Sequence, residues 1–125
     1  MSRSRPLSPH LGVYRLPVTA LLSISHRAAG VLLYLGLTFF SWLLVFLTFY
    51  PGVVRALLAY RVVEYVVEAG LFVWFGSLCY HYCNGIRHLF WDCGIGLGKK
   101  AATISGYVTL AVAVSLALGL FFIWY

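Results

Sequence analysis

From Ala28 to Tyr50 the chain runs for about 23 residues in which the only polar side chains, Tyr34, Thr38, Ser41 and Thr48, are uncharged. A helix of that length crosses the hydrocarbon of a bilayer with some tilt. Pro51-Gly52 ends the run. A second apolar helix is predicted from about Ala59 to Trp91, with its most apolar part between Ala69 and Ile86. It exceeds the bilayer thickness, so its first turns, bearing Arg61, Glu64 and Glu68, are expected to protrude or to lie at the interface. Gly94-Ile95-Gly96-Leu97-Gly98 reads as a loop sealed by Lys99 and Lys100, and Thr103 to Tyr125 forms a third span without charge. In that span Ala111, Ser115 and Gly119 recur every fourth residue, either as a contact stripe for another helix or as ordinary lipid-facing composition.

These elements predict an all-α integral membrane protein with three transmembrane helices. It forms a single membrane-anchoring domain over residues 1–125: an N-terminal arm over 1–21, interrupted by Pro6, Pro9 and Pro17, then helices over 22–50, 59–92 and 101–125. Composition agrees. Of 125 residues, 62% are hydrophobic and 10% charged, with a mean hydropathy of +0.93, too little polar surface to cover a soluble domain of this size.

The net charge of +6 would suggest nucleic acid in a soluble protein. Here Arg3, Arg5, Arg15 and Arg27 precede the first span, and Arg87, Lys99 and Lys100 flank the second connection. The positive-inside rule then places the N-terminus and second connection inside and the C-terminus outside, with the lipid bilayer rather than nucleic acid as partner. The N-terminus has no apolar core leading to a cleavage site, as expected of a bacterial inner-membrane protein or of one already inside its organelle. Cys79, Cys83 and Cys93 make neither a secreted disulfide framework nor a metal cage, and read as packing residues.

Two polar segments interrupt this apolar pattern. In His81-Tyr82-Cys83-Asn84-Gly85-Ile86-Arg87-His88 the two histidines are seven residues apart, hence on one helical face and roughly 10 Å apart along the axis. Ionisable side chains at membrane depth are functional candidates. A neutral imidazole is a good axial ligand for haem iron, and Gly85 clears space for a porphyrin. His81, the deeper of the two, takes the iron in this reading, with His88 and Arg87 near the propionates or as structural anchors. The competing readings are a hydrogen-bonded histidine at a helix contact for His81, an Asp92 partner for His88, and a headgroup-seeking Arg87. His10 and His26 lie too near the inner surface to face His81 squarely, so a second axial imidazole is expected from another polypeptide. In Ser23-Ile24-Ser25-His26-Arg27, Ser23 and Arg27 are one turn apart, with His26 and Gly30 on the same side. A hydroxyl and a guanidinium there can hold a quinone carbonyl; the alternative is a helix cap at Ser23 followed by a headgroup-binding Arg27. His26 suits a propionate or a proton path.

By three stretches the chain resembles the cytochrome b membrane-anchor subunits of succinate dehydrogenase, respiratory complex II. They are Arg5-Pro-Leu-Ser-Pro-His10-Leu-Gly-Val-Tyr14, Ser23-Ile-Ser-His-Arg27 with Gly30, and His81-Tyr-Cys-Asn-Gly-Ile-Arg-His-Leu-Phe-Trp-Asp92. The resemblance implies one haem b between this chain and a second small anchor subunit. It places His81 at the haem-ligand position, Ser23 and Arg27 at the ubiquinone site, and His26 near the propionates. It also implies docking of flavoprotein and iron–sulfur subunits, which oxidise succinate and pass electrons to ubiquinone. The chain carries neither a flavin-binding pattern nor an iron–sulfur cysteine set, so it contributes no catalytic residue to succinate oxidation. A non-catalytic scaffold or transporter subunit with structural histidines is the alternative. A bacterial or mitochondrial inner membrane is the expected location.

Overall fold

The computed structural model describes residues 15–124, the side chain of Trp124 excepted. Arg3, Arg5 and His10 on the arm, and the suggested interface anchor Tyr125, lie outside the described residues. Four helices follow in order: α1 (Val18–Phe49), α2 (Pro51–Leu58), α3 (Arg61–Asp92) and α4 (Lys99–Trp124). Every regular element among the described residues is helical, and α1, α3 and α4 are long and apolar enough to cross a membrane.

Helix α1 starts at Val18, within the stretch expected to be an arm. Pro17 explains the start: its fixed φ of −64° and extended ψ of 154° hold it just outside the helix, while its carbonyl accepts the N–H groups of Ala20 at 2.9 Å and Leu21 at 3.2 Å. Ser23 consequently lies inside the helix, and the capping alternative for it falls away. The sequence pattern also missed α2. Pro51 stands at its first turn, where a missing N–H costs nothing, so the residue that ends α1 opens another helix. Val54 is its buried residue.

Helix α3 is the centre of the bundle, packed against α4 along one side and α1 along the other, with slighter contact between α1 and α4. Only small residues allow the closest approaches. A Cβ on Gly36 of α1 would collide with the Trp74 indole, whose Nε1 donates to the Leu33 carbonyl at 3.2 Å. A Cβ on Gly106 of α4 would collide with Leu22. The buried stripe of α4 is Gly106, Thr109 and Ala113; Ala111, Ser115 and Gly119 face outward. At the far end, Arg61 pairs with Glu64 at 3.9 Å on an exposed face, a contact worth little in stability.

The core is sparse. Leu22, Ala29, Val54, Cys79 and Ala113 are its buried apolar residues, whereas large side chains such as Trp42, Tyr34 and Phe49 are 60% to 70% exposed. Such surfaces suit lipid, which imposes no hydrophobic penalty and leaves close packing and hydrogen bonds to hold the helices together. The three cysteines are free thiols.

Candidate functional site

The buried polar residues among those described are Asn84 and Arg87 on one stripe of α3 and Thr109 on α4. Asn84 is fully buried and Arg87 is 5% exposed. Arg87 does not reach for headgroups. Its Nη1 donates to Asn84 Oδ1 at 3.1 Å, its Nε to Ser105 Oγ at 3.1 Å and its Nη2 to the Ala102 carbonyl at 2.8 Å. The guanidinium also lies over the Trp91 ring, 4.0 Å from its centroid. This fork ties α3 to the first turns of α4 using neutral acceptors, so of the two roles expected for Arg87 the structural anchor is the one seen here.

On the opposite flank of the stripe, α1 and α3 meet through their histidines. The His26 ring stacks on His81 with centroids 4.0 Å apart and planes 11° from parallel. It also tilts against His88 at 5.2 Å, and His88 meets Trp91 edge-on at 5.0 Å. The expectation that His26 cannot face His81 squarely is therefore corrected. Because α1 begins four residues earlier than the expected 22, about 6 Å of helix is added below His26. His26 thereby stands level with the segment between His81 and His88. His88 packs between His26 and Trp91, and no ion pair joins it to Asp92 among the described residues.

His81 Nδ1 lies 3.1 Å from the main-chain carbonyl oxygen of His26. A carbonyl only accepts, so Nδ1 carries the proton and the lone pair of the neutral ring resides on Nε2. That is the tautomer of a histidine metal ligand whose other nitrogen is held by a backbone carbonyl. The space beside it is open: a Cβ at Gly85 would meet nothing within 4 Å. One half-buried imidazole with a free Nε2, next to a strip cleared by glycine, fits one axial side of a haem. His26 cannot supply the other side. Two face-stacked rings present neighbouring nitrogens, whereas axial ligands approach iron from opposite faces of a porphyrin.

The second orphan is His26 itself, whose Nδ1 is buried without a hydrogen-bond partner among the described residues, as is Asn84 Nδ2. Ser23, half-buried, and Arg27, exposed, continue the same edge of α1. Neither side chain has a hydrogen-bond or ion-pair partner among the described residues. The residues expected to act together are thus brought onto one α1–α3 edge, Arg87 excepted.

Sequence reasoning overlooked Tyr80 and Ser25. The Tyr80 hydroxyl lies 2.6 Å from Ser25 Oγ and donates to the Leu22 carbonyl at 3.1 Å, a polar clasp whose two side chains come one residue before His81 and His26. The helical spacing of Ser77, Tyr80, Asn84, Arg87 and Trp91 is the signal that could have revealed it.

These features define a three-span helical membrane protein with an edge lined by imidazoles. The family model described as "Succinate dehydrogenase/Fumarate reductase transmembrane subunit" matches residues 1–120. The succinate dehydrogenase cytochrome b556 subunit of Paracoccus denitrificans is 40% identical over 132 aligned residues, covering 97% of this chain and 95% of that one. The cytochrome b556 subunit of Rickettsia felis is 37% identical over 114 residues, 91% of this chain and 88% of its own. The mitochondrial cytochrome b560 subunit of Sus scrofa is 35% identical over 127 residues, 96% and 72% respectively. The chain belongs to the family of succinate dehydrogenase/fumarate reductase transmembrane subunits. It is therefore a subunit of a succinate:quinone oxidoreductase and a multi-pass inner-membrane protein.

Replacing Arg87 with Ala removes three hydrogen bonds, at an average of about 0.6 kcal/mol each in membrane proteins, or about 2 kcal/mol together. The denaturation midpoint of the purified complex in detergent is expected to fall accordingly. Arg87→Lys should recover only part of the loss, because an ammonium cannot present a planar fork to three acceptors. An unchanged midpoint for Arg87→Ala contradicts the anchoring role.

Proposed function

We propose that this chain is the cytochrome b membrane-anchor subunit of a succinate:ubiquinone oxidoreductase. It holds one axial side of a haem b through His81, shares that haem with a second small anchor subunit, and contributes Ser23 and Arg27 to the ubiquinone-reduction site. The observation carrying the reading is the 3.1 Å contact between His81 Nδ1 and the His26 carbonyl, which favours the tautomer with its lone pair on Nε2, the nitrogen that would bind a metal. A face-stacked His26 supports the assignment of the second axial imidazole to the partner subunit.

When bound, the haem supplies a one-electron carrier in the interior of the membrane. The chain's own residues do the rest. Arg27 and Ser23 donate hydrogen bonds to a quinone carbonyl oxygen and stabilise the negative charge that develops there as ubiquinone takes up two electrons and two protons to become ubiquinol. Their lack of partners among the described residues supports this, since their donors need not be withdrawn from contacts there. His26 and His88 line the same edge, where imidazole N–H groups can meet a propionate. Arg15 just before α1 and Arg27 in its N-terminal part, with Lys99 and Lys100 after α3, support an inward N-terminus and inner-face docking of the flavoprotein and iron–sulfur subunits.

Two outcomes test this. Membranes holding the complex should show a reduced b-type spectrum that His81→Leu alters or removes; a spectrum indifferent to that change would falsify the ligand assignment. Arg27→Ala should lower succinate:ubiquinone activity about 10²-fold, the cost of one donor to a developing oxyanion, while succinate oxidation with an artificial dye acceptor persists. Parallel loss of both activities would instead indicate failed assembly and count against a quinone role.

A further inference from the structure

The main-chain carbonyl of His26 serves two donors. The ladder of α1 directs the Gly30 N–H to it, four residues on, and His81 Nδ1 reaches it from α3 at 3.1 Å. A helical carbonyl has a second lone pair, but the side chains three and four residues further on overhang it; the same geometry lets a serine or threonine at that position bond back to the carbonyl. Over His26 those positions are Ala29, buried, and Gly30. The overhang is thus reduced to one methyl and a hydrogen. An added Cβ at Gly30 would stand 3.1 Å from His81 Cε1, a few tenths of an ångström too close, and 3.5 Å from His81 Nδ1, in ordinary contact, so the ring could keep its place against α1 only by shifting.

We propose that Gly30 and the His26 carbonyl form a positioning device for His81: the missing side chain admits the imidazole to α1, and the carbonyl fixes its tautomer and ring plane. The proposal rests on His81 being the haem ligand. Gly30 touches no substrate or metal; it acts through the ring. The device has an electronic consequence as well as a steric one. A carbonyl accepting from Nδ1–H makes Nε2 more basic, and a more basic axial ligand favours ferric over ferrous haem.

The test uses the intact complex carrying Gly30→Ala, with His81→Leu as its control. The added methyl should push the ring off the carbonyl, weaken the Nδ1 hydrogen bond and raise the haem reduction potential. The expected size is about a tenfold change in the ferrous-to-ferric ratio at fixed potential, about 59 mV for one electron. The low-spin ferric EPR g-values, which report the orientation of the axial rings, should move with it. General destabilisation without displacement of the imidazole would leave both readouts in place in the assembled fraction. If Gly30→Ala keeps its haem with potential and g-values unchanged while His81→Leu disturbs the haem, the device is refuted and the ligand assignment stands. If His81→Leu leaves the haem untouched, both fall. Should Gly30→Ala fail to assemble, a density map of the unmodified complex decides. His81 Nδ1 within hydrogen-bond reach of the His26 oxygen sustains the device, and a separation beyond about 3.5 Å overturns it.

Discussion

Hydrocarbon does not solvate a polar side chain, and that constraint orders this molecule. His81 and Arg87 have found acceptors on neighbouring helices, while His26 Nδ1 and Asn84 Nδ2 are buried without a partner among the described residues. The pairing of His81 Nδ1 with the His26 carbonyl is the point on which the site turns. It brings α1 and α3 into register, stacks His26 on His81 and leaves one ring nitrogen uncommitted. With so few buried apolar residues, contacts of this kind do more to define the helix arrangement than a core does.

Two arginines within the same few turns of the bundle illustrate the constraint from opposite sides. Arg87 is enclosed, and three of its donors are spent on Asn84, Ser105 and Ala102. Arg27 is exposed on the edge that carries the histidines, with no partner for its donors among the described residues. A guanidinium whose donors are consumed by the fold stabilises the fold; one whose donors face outward is available to a substrate. The sequence places both beside a histidine and does not distinguish them, because the difference lies in which neighbouring helix each one faces. Asn84 belongs with Arg87: its Oδ1 is consumed by the anchor, and its Nδ2 is a buried donor without a partner among the described residues.

The spans were legible because composition and length alone decide whether a helix can cross a bilayer. Their limits were not, since Pro17 and Pro51 each admit a helix directly after or at themselves, and a pattern that treats proline as a terminator misses both starts. The meeting of the His26 and His81 segments has a trace in the sequence because polar residues within apolar runs stand out. Tyr80, Ser25 and the role of Gly30 were not legible. Each acts only across the α1–α3 contact, and pairing between residues 55 positions apart, as in Tyr80 with Ser25, leaves no mark on local periodicity. The stacking of His26 on His81 was misjudged for the same reason, since a depth reckoned from a helix start too far along the chain is too shallow.

The central claim, that Nε2 of His81 is bonded to iron, is tested most directly by anomalous diffraction at the iron absorption edge from crystals of the assembled complex. The account predicts an iron peak at bonding distance from His81 Nε2, beside Gly85 and on the side of the ring away from the His26 carbonyl. A haem-sized peak ligated elsewhere, or none within reach of that nitrogen, contradicts it.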